Sequence, residues 1–181
     1  MKIEEENCFV NGLEYNIRSA KETDAPKLSR VRLQIDGETE NMDRESGEAY
    51  LDEEAFCRLI EEDTKSRTNL FLVAEEAGEL LGFSRCEGST LKRLSHKVEF
   101  GVCVRKDYWG HQIGRKLLES SISWADNIGM KRIVLYVLET NEKAIRLYKE
   151  LGFQTEGVLR MDKLLSDGKF YNTIVMGRVV S

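Results

Sequence analysis

Proton transfer and anion binding both have candidate residues in the middle of this chain. Glu99 interrupts the otherwise apolar stretch KVEFGVCV, Lys97 to Val104. In an extended strand it shares a face with Gly101 and Cys103, both small, which leaves room beside its carboxylate. A carboxylate partly withdrawn from water in a cleft has a raised pKa and can act as a general base, although a strand glutamate more commonly just faces solvent.

Next comes YWGHQIGRKLLE, Tyr108 to Glu119, with Gly110 and Gly114 four residues apart ahead of a basic, leucine-bearing run. The dinucleotide fingerprint G-x-G-x-x-G fails because Gln112 stands where its middle glycine belongs. The nucleotide loop G-x-x-x-x-G-K-[ST] fails because the glycines are one residue too close and Leu117 follows Lys116. A helix N-terminus nevertheless offers unpaired N–H groups and about half a positive charge. The two glycines admit an anion close to the backbone, and Arg115 and Lys116 add charge. Spacing alone fits such an anion cradle and a plain strand-to-helix turn equally. His111, within the loop, either touches a phosphate or faces solvent. His96 is within reach of Glu99 in sequence but sits in the polar run KRLSHK, which reads as an exposed loop.

Asn141 occupies the matching position after the following strand, and Tyr148 lies two helical turns further on, nearly on the same face. Its plainer reading is a core aromatic in an apolar stripe. The functional alternative is a phenol aimed into a cleft as a proton donor.

Definite elements must position these residues. LEYNIRSA (Leu13–Ala20) alternates as a strand, and Thr23 or Asp24 can cap a helix with Pro26 in its first turn running through KLSRVRLQID. That helix shows a ragged stripe of Leu28, Val31, Leu33 and Ile35. AYLDEEAFCRLIEE reads as a second helix, with Leu51, Ala55 and Leu59, together with Phe56 and Ile60, directed inward. NLFLVAEEAGELLGFSRCEG forms a hairpin about Ala77-Gly78. The KVEFGVCV strand, the glycine loop, a helix from Ile113 ended by Gly129, and the doubly apolar RIVLYVL (Arg132–Leu138) make a β-α-β unit, parallel with a right-handed crossover. A capped helix, NEKAIRLYKE, ends at Gly152, and strands around Thr155–Leu164 and Phe170–Val179 flank the turn Ser166-Asp167-Gly168. The expected class is α/β with one mixed sheet.

Composition sets outer bounds. One domain is the default for 181 residues, and a charged fraction of 33% with net charge −5 argues against nucleic acid as the main partner. An amine-bearing partner suits that balance better. The segment Gly37–Glu54 holds eight acids against the single Arg44. It reads as a solvated loop and helix start, or as an acidic approach for a cationic substrate. Cys8, Cys57, Cys86 and Cys103 form no C-x-x-C pair and only two histidines are present, so no metal site is expected. With no signal core and no run of about 18 apolar residues, the expected setting is the cytoplasm, with no membrane partner.

Taken in order, these residues resemble the GCN5-related N-acetyltransferase (GNAT) family, in particular members acting on ribosomal proteins, polyamines or other small amines. The family's [Q/R]-x-x-G-x-[G/A] loop maps to Trp109-Gly110-His111-Gln112-Ile113-Gly114. Its N-x-x-A-x-x-x-Y-x-x-x-G-F pattern falls on Asn141, Ala144, Tyr148, Gly152 and Phe153. The likeness spans Leu13 to Arg178, a core of 13–178 within one domain of 1–181. It implies a mixed, mostly antiparallel sheet splayed at its parallel pair, helices on both faces, and acetyl-coenzyme A as cosubstrate.

The resemblance also implies roles. The backbone from Gly110 to Arg115 would bind the pyrophosphate, in the loop that Trp109 opens. Val102, Cys103 and Val104 would pair with the pantetheine arm, which Asn141 also contacts beside Ala144. Tyr148 would protonate the leaving thiolate and Glu99 would deprotonate the amine of a small-molecule or peptide acceptor, in a ternary complex. A homodimer is one assembly it suggests. Trp109 and Gln112 depart from the pattern, and Gln112 in place of glycine must adopt ordinary backbone angles or carry strain. Two rivals are a coenzyme A-binding regulatory module without turnover and a nucleotide-phosphate-binding protein of another fold.

Overall fold

The computed structural model describes residues 2–180. Along the chain run β1 (Glu6–Val10), β2 (Leu13–Ser19), α1 (Ala25–Glu38), α2 (Glu53–Lys65), β3 (Leu70–Glu76), β4 (Glu79–Gly88) and β5 (Lys97–Val104). There follow α3 (Ile113–Asn127), β6 (Arg132–Leu138), α4 (Glu142–Glu150), β7 (Gln154–Leu164) and β8 (Phe170–Val179). The strands join in one eight-stranded sheet of order β1-β2-β3-β4-β5-β6-β8-β7. Only β5 and β6 are parallel neighbours; α3 supplies the crossover between them. This is the mixed, mostly antiparallel sheet expected.

Strand alternation distributes the core to both faces. In β3, Leu70, Leu72 and Ala74 enter one cluster with Leu117 and Leu118 of α3 and Tyr148 of α4. Phe71 and Val73 enter a second with Leu28 and Ile35 of α1 and Phe56 and Ile60 of α2. Each fully buried side chain of this size contributes about 1.5–3 kcal/mol relative to exposure. A strand covered on both sides needs this double apolar pattern.

Two elements differ from the sequence reading. β1 was not expected, yet Asn11 (φ 51°) and Gly12 (φ 82°) form the left-handed pair of a two-residue hairpin turn. The Asn-Gly signal for it was present in the sequence. α2 begins at Glu53, because the Asp52 side chain accepts from the Ala55 amide at 2.8 Å and caps the helix there. Its inward face is Phe56 and Ile60, both about 1% exposed, while Leu51, Ala55 and Leu59 are half-buried. In α1, Leu33 points outward, leaving Leu28, Val31 and Ile35 as the packed stripe. Among the described residues, no helix is long and apolar enough to cross a membrane.

Candidate active site

The site originates in an interrupted ladder. β5 and β6 pair only at Lys97–Arg132, Val98–Ile133 and Glu99–Val134. Beyond that point β5 stays paired with β4 as far as Val104, and β6 stays paired with β8 as far as Leu138. The two half-sheets therefore diverge, leaving a cleft open through the sheet. Backbone groups of successive residues point to opposite edges of a strand. The Arg105 amide donates to Leu81 O at 2.9 Å, which directs Cys103 and Gly101 toward β4. At the other end the His96 carbonyl accepts from the Lys131 and Arg132 amides at the start of β6. By the same alternation Phe100, Val102 and Val104 present their backbone to the cleft. Val104 O is already taken by the Trp109 indole N–H at 3.0 Å.

The loop beyond β5 is pinned from behind. Asn11 Nδ2 donates to Gly110 O at 2.8 Å and the Tyr15 hydroxyl to His111 O at 3.0 Å. The His111 ring, at 3.3 Å from Val10 O, is also turned toward β1. With these carbonyls held outward, the first helical bond is from Lys116 N to Gln112 O at 2.9 Å. The amides of Ile113, Gly114 and Arg115 have no partner among the described residues and open on the cleft. The geometry depends on left-handed backbone at Gly110 (φ 93°) and at Gln112 (φ 57°, ψ 19°). Gln112 thus adopts the conformation a glycine would take there, at a cost of about 1–2 kcal/mol. The side chains of Arg115 and Lys116 are committed elsewhere: Arg115 to Glu150 and Glu119, Lys116 to Glu119 and Glu6. Anion-binding capacity in this loop resides chiefly in its backbone.

One cavity of about 780 Å³ runs through the splay, lined by Glu99, Val102, Cys103, Val104, Trp109, Gly110, Gln112 to Arg115, Asn141, Ala144 and Tyr148. Of the residues singled out in the sequence, His96, His111 and Lys116 are outside that lining. His96 is exposed and makes no bond to Glu99. The Glu99 carboxyl is held above the usual range, first by partial desolvation in the cleft and then by the charges of Glu87 opposite it and of Asp43. Tyr148 is 8% exposed and packs against Phe153, with ring centroids 6.0 Å apart. Burial pushes its phenol up to about 12, so it keeps its proton at neutral pH. Asn141 caps α4, its Oδ1 accepting from Ala144 N at 3.3 Å.

Cys103 differs from its expected place. Its backbone faces β4 and its side chain enters the α1/α2 face, with Sγ 3.4 Å from Met42 Sδ. Desolvation raises the Cys103 thiol to about 12.

The acidic segment proves to be largely occupied by its own chain. Glu38 accepts from the Lys106 amide at 2.7 Å and Glu40 from the Ser166 amide at 2.9 Å. Asp43 pairs with Lys163, Asp52 caps α2, and Glu54 pairs with Arg58. The Glu38, Glu40 and Asp43 bonds tie the start of this segment, which lines the cavity, to Lys106, Ser166 and Lys163. Sequence reasoning did not find Arg32, Arg44 and the phenylalanines of the far wall. An arginine on a helix (Arg32) or in an irregular segment (Arg44) and phenylalanines on strands carry no local sign of a cavity, whereas Asn11 could have been found from its turn.

Residues 36–153 match the family model described as the Acetyltransferase (GNAT) family. The chain is 31% identical over 109 residues to L-amino acid N-acetyltransferase AaaT of Escherichia coli, covering 60% of this chain and 67% of that protein. It is 30% identical over 158 residues to an N-alpha-acetyltransferase of Sulfurisphaera tokodaii, covering 82% and 86%. A GNAT-family acetyltransferase from Streptococcus pneumoniae superposes with a TM-score of 0.88 at 27% identity, over 92% of this chain and 99% of that one. A GNAT superfamily phosphinothricin acetyltransferase from Sinorhizobium meliloti, solved in complex with AcCoA, shares the fold: TM-score 0.80, 17% identity, 92% and 89% coverage.

Proposed function

The chain belongs to the GNAT family of acetyltransferases, and from that premise we propose that it acetylates a primary amine by direct attack in a ternary complex. Acetyl-coenzyme A is the cosubstrate, and the residues present suit it. The unpartnered amides of Ile113, Gly114 and Arg115 would hold its pyrophosphate. The open backbone of Phe100, Val102 and Val104 would pair with its pantetheine arm, beside Asn141 and Ala144. When bound, it supplies an acetyl thioester open to attack by a neutral amine.

The observation carrying this reading is that Glu99 of β5 and Tyr148 of α4, the helix that follows β6, line the same cavity at the point where the sheet parts. An alkylammonium near pKa 10 must lose a proton before it can attack. Glu99, ionised at neutral pH but more basic than a free carboxylate, would accept that proton directly or through water. The Val104 N–H would donate toward negative charge developing on the carbonyl oxygen, an effect worth about 3 kcal/mol in comparable sites. Tyr148 would give its proton to the departing sulfur. Direct attack is favoured over a cysteine relay because a thiol raised to about 12 is a poor nucleophile at neutral pH. We also propose one acetyltransferase domain of 1–181 in a reducing cytoplasm, a setting that suits four free cysteines.

The test is calorimetry with acetyl-coenzyme A together with thiol release across a panel of amines, for wild type, Glu99→Gln and Tyr148→Phe. We expect binding well below millimolar in all three, and turnover that falls sharply in both variants. Binding without turnover for any amine would favour the regulatory-module alternative. Unchanged rates in both variants would remove Glu99 and Tyr148 from the mechanism.

A further inference from the structure

The wall of the cavity on the α1/α2 face carries four cations, three of them neutralised by the protein itself. Arg44 makes a two-pronged pair with buried Asp36 at 3.0 and 3.2 Å. Arg85 makes another with Asp63 at 2.6 and 2.9 Å and reaches Glu87 at 2.8 Å. Lys163 pairs with Asp43. Arg32 is the exception. Its Nη1 donates to Ala49 O at 2.7 Å, and among the described residues no carboxylate pairs with it. Glu99 is its counterpart: it lines the same cavity, and no described cation forms an ion pair with it.

Arg85 is shared by Asp63 and Glu87, and among the described residues Arg32 and Glu99 are the guanidinium and the carboxylate of that wall that form no ion pair. Glu99 is exposed and Arg32 half-buried at this wall, so each is accessible to the opposite charge of a ligand. Glu99 and Cys103 lie on one face of β5 and are four residues apart, about 13 Å along the strand. Arg32 lines the cavity from α1, and Cys103 packs against the α1/α2 cluster on that same side of the sheet. Between Glu99 and Cys103 the wall carries the Arg85–Asp63 pair, opposite Gly101, beside the apolar Leu51, Phe56, Phe71 and Phe83. A polyamine would place a second cation against Arg32. A carboxylate there would be met by a planar donor fork suited to two parallel hydrogen bonds.

We propose that the acceptor is a small amino carboxylic acid, its carboxylate held by Arg32 and its amine presented to Glu99, a proposal that rests on the acetyltransferase reading above. Arg32 is then a residue that determines specificity, and the Glu38–Glu54 acids are structural ties rather than a landing site for cations.

The experiment measures acetyl transfer to α-amino acids and to longer ω-amino acids, each against its own carboxamide, with spermidine as the polyamine probe. In wild type the acid should outperform its amide about tenfold or more, mainly through KM. Arg32→Gln should erase that preference by raising KM for the acid alone, and Arg32→Lys should restore part of it. Acetyl-coenzyme A affinity, measured in parallel, shows that each variant is folded. Equal use of acid and amide by wild type, faster use of spermidine, or a preference that survives Arg32→Gln would each overturn the proposal. Acetyl-coenzyme A binding with no turnover of any panel member would overturn it too, while leaving the cosubstrate assignment intact. Absence of that binding would instead bring down the acetyltransferase reading itself.

Discussion

Glu99 and Tyr148 have their proton affinities shifted upward for a common reason, loss of water, but with opposite consequences. For a carboxylate, a raised pKa moves ionisation to higher pH, so the acid limb of the rate profile should lie above the usual value of about 4.3. Glu99→Gln should abolish that limb and lower kcat about a hundredfold. The same shift bears on stability. A folded-state pKa above the unfolded value gives stability that is complete below the unfolded pKa and lost as pH rises through the folded one. Glu99 is therefore ionised at a cost at neutral pH, and Glu99→Gln should have an equal or higher Tm at pH 7 while being slower. A clear fall in Tm would show that the carboxylate is structural. For Tyr148 the shift to about 12 keeps the phenol protonated across the working range, so no alkaline limb below pH 10 should disappear in Tyr148→Phe.

The glycine loop shows how an element can keep its geometry while losing the residue that makes the geometry easy. Gln112 is left-handed, the same backbone that glycine would adopt freely. Gln112→Gly relieves the steric cost of about 1–2 kcal/mol but adds freedom to the unfolded chain, worth about 0.4–1 kcal/mol. The net expectation is unchanged or slightly higher stability in denaturant unfolding, with acetyl-coenzyme A affinity within about twofold of wild type. A large loss of affinity would show that the Gln112 side chain itself contacts the ligand. Asn11, in the turn between β1 and β2, and Tyr15 of β2 hold the loop's carbonyls, so the hairpin at the sheet's far edge supports the loop that opens α3.

At the scale of the molecule, the parting of β5 from β6 turns a continuous sheet into two half-sheets with a cavity between them. The alternation along β5 makes this testable by hydrogen exchange. Amides of Val102 and Val104 should exchange quickly in the free protein and slow on adding acetyl-coenzyme A, along with those of Ile113 to Arg115. Those of Gly101 and Cys103, bonded to β4, should be slow throughout. Uniform protection along β5 without ligand would mean that the edge is not open. Much of this architecture is legible in the chain. Periodicity alone places the β-α-β unit, the loop and α4, because these depend on residues near one another in sequence. The Asn141-to-Phe153 pattern is specific because cap, stripe and stop all fall within one short helix. The acceptor wall was not legible, because it gathers Arg32 from a helix, Leu51 from an irregular segment and Phe83 from a strand.

The sequence by itself determined the β-α-β unit and the glycine loop that follows β5, since both rest on local spacing, and it carried the motifs by which the chain resembles its family. Only the tertiary structure decided which charges remain unmatched. It committed Glu38, Glu40, Asp43 and Glu54 to Lys106, Ser166, Lys163 and Arg58, paired the side chains of Arg115 and Lys116 with carboxylates, and left Arg32 and Glu99 in one cavity with no ion pair among the described residues. A formal charge is a property of the residue, but whether it is free to meet a ligand depends on which partners the fold brings within a few ångströms.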